Sequence, residues 1–420
     1  MSTLLIEGGQ PIAGRVDVEG NKNAALPLLA ACLLTDEACV LTNVPRIGDV
    51  EVMARLLLDI GAEVDGIGST TMRIRASTLR TSEPDHALVG RLRGSVLLLG
   101  PLLARFGKAA LGQPGGDFPT RRTIATHLDA LVALGARLLD GPGHALEADQ
   151  GLRGATMYLY EASVTGTETA LLAAAAAEGV SIIRHAATEP HVVELCQFLR
   201  KMGAGVSGEG SSTIRVEGAS RLCGAEHRLG GDYIEAGSWA VVGAITGGEV
   251  EIHGSRAEDM EVVAAVLQRM NVQCRMRDDE VFEVRPSKPK AIKRITSGLW
   301  PGFPSDLISL VTVLATEAEG RTLVHDWMYE LRLFALEQLS GMGADLFICD
   351  PHRMIVTGPT ELRGGRTLDS RDLRSGMSLI AAALTADGQS RVAPLETVER
   401  GYGQLVERLT SLGARVTKLP

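Results

Sequence analysis

The chain has 420 residues, a length that suits two or three domains. Hydrophobic residues make up 45% of it but aromatics only 4%, so its cores must be built from Leu, Val, Ile and Ala. A formal net charge of −9 argues against a surface made for nucleic acid or an anionic membrane, and leaves room for a local basic pocket.

The opening stretch MSTLLIEGGQPIAG lacks a basic region followed by an apolar one, so a secretory signal is not expected there. No apolar run approaches the roughly 18 residues that a membrane span requires. A soluble, cytoplasmic protein with no membrane or nucleic-acid partner is the expectation. The six cysteines, Cys32, Cys39, Cys196, Cys223, Cys274 and Cys349, contain no C-x-x-C pair and read as buried free thiols rather than as disulfides or a zinc site.

Along the chain, six helix-like segments end alike: DIGAEV at Gly61, ALGARL at Gly135, KMGAGV at Gly203, RMNVQC at Asn271, GMGADL at Gly343 and SLGARV at Gly413. They recur every 68 to 74 residues, which signals a repeated supersecondary unit. Each reads as a helix, a left-handed Gly or Asn cap, then a strand. Each unit also holds a helix that is apolar all round and should therefore be buried. In order these are NAALPLLAACLL, RGSVLLLGPLLARFG, TETALLAAAAAEG, YIEAGSWAVVGAITGG, SDLISLVTVLATEAEG and LRSGMSLIAAALTADG. Six such modules predict an α/β (α+β) chain of two domains, each with three repeats packed around buried helices.

Charged and polar residues gather where the buried helices begin, and helix N-termini attract anions. Lys22 and Asn23 precede the first helix and Arg93 the second. Ser163 and Val164 open the third, Asp232 and Glu235 the fourth, Asp306 the fifth and Arg374 the sixth. Taken singly, each has a plainer reading: Lys22 as an exposed cap residue, Asp306 as a helix N-cap after two prolines, Arg400 of ERGY as a solvated arginine. The loop QPGGDFPTRR poses the same question for Asp117, which could be a turn residue, an arginine partner or a catalytic acid.

Taken together, EGNKNAALP, RGSVLLLGPLLARFG, PGGD with the following RR and His127, SVTGTET, WPGFPSD, YELR, DLRSGMS and ERGY run in order along nearly the whole chain. In this combination the sequence strongly resembles the enolpyruvyl transferase family, in the branch that acts on UDP-N-acetylglucosamine. The resemblance implies two domains of three βαβαββ-type units, at about 22–230 and at 1–21 joined with 231–420, with a catalytic loop near 113–123. It implies an active site in the cleft between them that closes over its substrates.

The implied reaction moves the enolpyruvyl group of phosphoenolpyruvate to the 3-hydroxyl of UDP-N-acetylglucosamine by addition and elimination, releasing phosphate. It would be the first committed step of peptidoglycan synthesis and would need no metal or organic cofactor. Phosphate and carboxylate favour arginine forks, with lysine as a point charge. By the resemblance, Lys22, Arg122 and Arg400 would hold the phosphate, and Arg332 and Arg374 the carboxylate. Asn23 and Arg93 would contact the sugar nucleotide. Arg122, Thr123, Ile124, Ala125, Thr126, Ser163, Val164 and Met328 would line its uridine or sugar side. Asp306 would be the base, and Asp117 or Lys22 the acid.

Three departures stand out. Asp117 occupies a place where many family members carry cysteine. An aspartate is ordinarily ionised near pH 7, so as an acid it would have to be protonated with substrate bound. Fosfomycin acts on this family by alkylating that cysteine, so resistance is expected. The segment Thr123–Ile124–Ala125–Thr126 differs from the family's usual uridine-side residues, and Leu331 stands where many relatives have Asn. The altered segment motivates an alternative, a family paralogue that enolpyruvylates another nucleotide or sugar acceptor in secondary metabolism. A non-catalytic binder on the same fold is a third reading, and the retained cations argue against it.

Overall fold

The computed structural model describes residues 2–115, 123–140 and 143–420. The chain divides into two compact units. One holds Met1–Glu19 and Gly231–Pro420, and the other holds the described residues from 20 to 230. The chain thus leaves its first unit after Glu19 and returns to it at Gly231.

Among the described residues each unit contains three small sheets. Five of the six have four strands, and in each of those one edge strand runs parallel to its neighbour while the rest are antiparallel. Three parallel pairs flank a buried helix in the usual crossover manner. The clearest is Thr156–Tyr158, helix Val164–Ala175, then Val180–Arg184, followed by helix Pro190–Met202 and two antiparallel strands. The sequence order is therefore βαβαββ. The other two parallel pairs close the sheets beside the crossings. Gly14–Asp17 pairs with Val250–His253 in one unit, and Glu226–Arg228 with Ala38–Thr42 in the other.

The six expected helix ends all occur as left-handed residues, from φ 62° at Asn271 to 110° at Gly203. One segment differs in kind: Arg332–Met342 is a 3-10 stretch rather than an α-helix. It starts from a left-handed Leu331 and carries Ser340-Gly341, a poor pair for sustaining an α-helix.

The apolar helices are buried as their composition requires. In Tyr233–Thr246, Ser305–Glu317 and Leu373–Thr385 nearly every side chain is covered. Some of their hydroxyls bond within the helix: Ser238 donates to Ile234 O, Thr312 to Ile308 O and Ser378 to Arg374 O, whereas buried Ser309 Oγ and Ser375 Oγ have no hydrogen-bond partner among the described residues. Each unit keeps its own apolar core, filled mainly by Leu, Val, Ile and Ala. Among the described residues all six cysteines are free, but Cys223 and Cys349 are exposed rather than buried. Cys349 lies on an edge strand, at a position that alternation turns outward.

Both crossings use the same device. A Cβ on Gly20 would stand 1.9 Å from Asn43 O, and one on Gly231 would stand 1.8 Å from Gly254 O. Each glycine is followed by a side chain that caps a buried helix. Asn21 accepts from the N–H groups of Asn23 and Ala24, and Asp232 from those of Ile234 and Glu235.

Candidate functional site

In the unit formed by 1–19 and 231–420, the start of helix Ser305–Glu317 gathers three of the predicted residues. Asp306 is not the N-cap. Pro304 occupies that position and no side chain caps the helix. Asp306 instead meets two arginines: Arg332 Nη2 donates to its Oδ1 at 3.1 Å, and Arg374 Nε donates to its Oδ2 at 3.2 Å. Both guanidiniums are buried, while the Asp306 side chain keeps 31% of its surface. The carboxylate is therefore more reachable from solvent than its cations.

A second layer holds the arginines. Arg332 Nη1 donates to Ser305 Oγ at 2.9 Å, and that hydroxyl donates on to Asp326. Asp326 is fully buried and also accepts from Ser297 Oγ at 2.7 Å and from the Met328 N–H at 3.3 Å. Arg332 packs over the Tyr329 ring at 4.1 Å, and its buried Nε has no hydrogen-bond partner among the described residues. Burial works against both positive charges. It is outweighed at Arg332 by Asp306, Asp326 and Asp372, and at Arg374 by Tyr402, Asp306 and Asp232, so both stay above the ordinary arginine value. Two fixed cations with spare N–H groups form a receptor for a carboxylate or phosphate. Met328 is 37% exposed beside this network, and Arg400 is half-buried, two residues before Tyr402.

The unit from 20 to 230 holds the other predicted residues. Lys22 is the first residue of helix Lys22–Ala31, and the cap is Asn21, not Lys22. The Lys22 side chain is only 13% exposed and pairs with buried Asp49 at 2.7 Å. Asn23 follows it, half-buried. Arg93 starts the 3-10 stretch Arg93–Leu98 and its Nη2 donates to Thr123 O at 2.7 Å. Thr123 and Ala125 are exposed, whereas Ile124 and Thr126 are buried, so only alternate residues of that segment face outward. Ser163 caps helix Val164–Ala175 through the Gly166 N–H, and Val164 is half-buried. His127 Nε2 lies 2.8 Å from Thr165 Oγ1, which ties the 123–127 segment to that helix start. Asp117 and Arg122 lie outside the described residues.

Several structural partners carried no sequence signal. Asp49 reads as an ordinary first-turn acid of helix Gly48–Asp59. Ser305 and Tyr402 lie within WPGFPSD and ERGY, but their bonds to the arginines run over 27 and 28 residues, and Asp326 joins Arg332 through Ser305. Among the described residues no cluster of His, Cys, Asp and Glu could hold a metal ion, and no helix is long and apolar enough to cross a membrane.

The chain matches the EPSP synthase (3-phosphoshikimate 1-carboxyvinyltransferase) family over residues 6–409. It is 42% identical over 426 residues to the UDP-N-acetylglucosamine 1-carboxyvinyltransferase of Treponema pallidum, with 100% of both chains covered. To that of Treponema denticola it is 41% identical over 423 residues, covering 99% of each. Among solved structures it is similar to the enolpyruvyl transferase NikO from Streptomyces tendae, at a TM-score of 0.89 and 25% identity, covering 100% of this chain and 99% of that one. EPSP synthase from Acinetobacter baumannii shares the fold at a TM-score of 0.78 and 20% identity, with 100% of both chains covered.

Proposed function

The chain belongs to the enolpyruvyl (1-carboxyvinyl) transferase family, and we propose that it transfers the enolpyruvyl group of phosphoenolpyruvate to the 3-hydroxyl of UDP-N-acetylglucosamine, releasing phosphate. This is the first committed step of peptidoglycan synthesis, carried out on water-soluble substrates in the cytoplasm. The observation that carries the reading is a reachable carboxylate, Asp306, held between the buried guanidiniums of Arg332 and Arg374.

In this reading the two arginines share their N–H groups between Asp306 and the carboxylate of phosphoenolpyruvate. Their fixed charge draws the acidic substrate in and orients its enol carbon. Asp306 takes the proton from the sugar hydroxyl as that oxygen attacks the enol carbon. The methylene carbon takes a proton from Asp117 or Lys22, giving a tetrahedral adduct that still bears phosphate. Loss of a proton from the new methyl group and departure of phosphate then restore the double bond. Lys22, Arg122 and Arg400 hold the phosphate throughout. Asn23, Arg93, the outward-facing Thr123 and Ala125, Ser163 and Met328 contact the sugar nucleotide.

An assay of phosphate release from phosphoenolpyruvate tests this. Release should require UDP-N-acetylglucosamine and yield its enolpyruvyl ether. Release only with another nucleotide or sugar acceptor would overturn the substrate assignment, and no release with any acceptor would overturn the catalytic one.

A further inference from the structure

Behind Arg374 lies a chain of hydroxyls whose direction can be worked out. Ser238 Oγ is 2.7 Å from Ile234 O, a carbonyl that can only accept. The one proton of Ser238 is therefore committed there. Tyr402 OH, 2.8 Å from Ser238 Oγ, must donate its own proton to that oxygen. This leaves the Tyr402 oxygen with acceptor capacity only, and Arg374 Nη1 donates to it at 3.1 Å. Every link thus points one way, from the Arg374 cation through Tyr402 and Ser238 to a helix carbonyl. The Tyr402 side chain is wholly buried in the core of its unit, and its ring lies 5.4 Å from the Arg374 guanidinium.

We infer that Tyr402 is a positioning residue, whose hydroxyl fixes the rotation of the Arg374 guanidinium so that its remaining N–H groups face a ligand carboxylate. This rests on the reading of Arg374 given above. Arg374 Nε and Nη2 are engaged by Asp306, and Tyr402 holds the third nitrogen from the opposite partner. A planar fork pinned on two sides cannot turn, and a bidentate receptor depends on its plane. Without the Tyr402 acceptor, the guanidinium would rotate to place more of its donors on Asp306. Those donors would then be withdrawn from substrate. The same relay explains the residue type: Phe fills the space and Tyr also accepts.

The test is steady-state kinetics of Tyr402→Phe, Ser238→Ala, Arg374→Gln and the Tyr402→Phe/Arg374→Gln double variant, with a melting curve for each. Tyr402→Phe should raise KM for phosphoenolpyruvate about tenfold, the loss of one hydrogen bond to a charged group. Its KM for UDP-N-acetylglucosamine should stay within about threefold of wild type, because the relay does not touch the sugar nucleotide. Ser238→Ala should act in the same direction but more weakly, since Tyr402 can still accept. In the Arg374→Gln background, Tyr402→Phe should add nothing, because a residue that acts through another has no effect once that other is gone. An unchanged KM in Tyr402→Phe, with a raised KM in Arg374→Gln, would overturn the inference and leave the reading of Arg374 intact. An unchanged KM in Arg374→Gln would overturn that reading, and the inference with it. An equal effect of Tyr402→Phe in both backgrounds would assign Tyr402 a purely structural role.

Discussion

The two helices that follow the chain crossings begin alike and end up in different chemistry. At Gly20 and at Gly231 a backbone carbonyl lies where a side chain would go, and Asn21 or Asp232 then caps the helix. At the first start, Lys22 pairs with Asp49 and keeps some exposure. At the second, the charge is sealed. Glu235 is buried, bonded by the Trp239 indole and paired with Arg408. Repetition of the fold thus fixes where a polar helix start occurs, and the side chains placed there decide whether it stays partly exposed or is sealed into the core.

Breaking the shared device should have the largest effect. Gly20→Ala and Gly231→Ala each push a methyl group into a backbone oxygen, and each should cost about 3 kcal/mol or more in urea unfolding. A much smaller loss at one crossing would show that the two are not equivalent.

The sealed side should reveal itself through pH. Burial pushes Glu235 from 4.5 up to about 7, against the pull of Arg408. A carboxyl whose folded value is raised binds its proton more tightly in the folded state, so its contribution to stability falls as pH rises from about 4.5 to about 7 and is level outside that window. The stability of wild type relative to Glu235→Gln should therefore decline across this window by about 3 kcal/mol. A difference independent of pH would contradict the sealed-charge picture.

At the open helix start the effect should be kinetic. Asp49→Asn removes the negative charge beside Lys22 and should lower kcat/KM for phosphoenolpyruvate about tenfold. An unchanged kcat/KM would mean that Asp49 has no part in placing Lys22. The smallest effect concerns Leu331, whose φ of 65° is costly for a branched side chain. Leu331→Asn should raise stability by about 0.5–1 kcal/mol, and a loss would show that the Leu side chain contributes more in packing than its backbone conformation costs.

The repeat was legible in the sequence because its marks are local. A Gly or Asn after a helix leaves a left-handed turn wherever it occurs, and all six were found. The apolar helices were legible for the same reason. The site was legible only through ordered motifs, because Asp306, Arg332 and Arg374 lie 26 and 68 residues apart and no spacing rule brings them together. Asp49, Asp326 and Tyr402 escaped notice because a buried acid or phenol in sequence looks like a surface one. The Arg93 contact to Thr123 is made to a carbonyl, which no side-chain pattern records. It also bears on the altered 123–126 segment, since a contact to backbone survives a change of side chain.

The central claim is that Asp306, held by Arg332 and Arg374, is the base. The direct test is the kcat for phosphate release by Asp306→Asn, an isostere that keeps hydrogen-bonding capacity and loses basicity. The account predicts a fall of about 10²–10⁴, the range for loss of a general base, with the melting temperature near that of wild type. A kcat within a few-fold of wild type would contradict it.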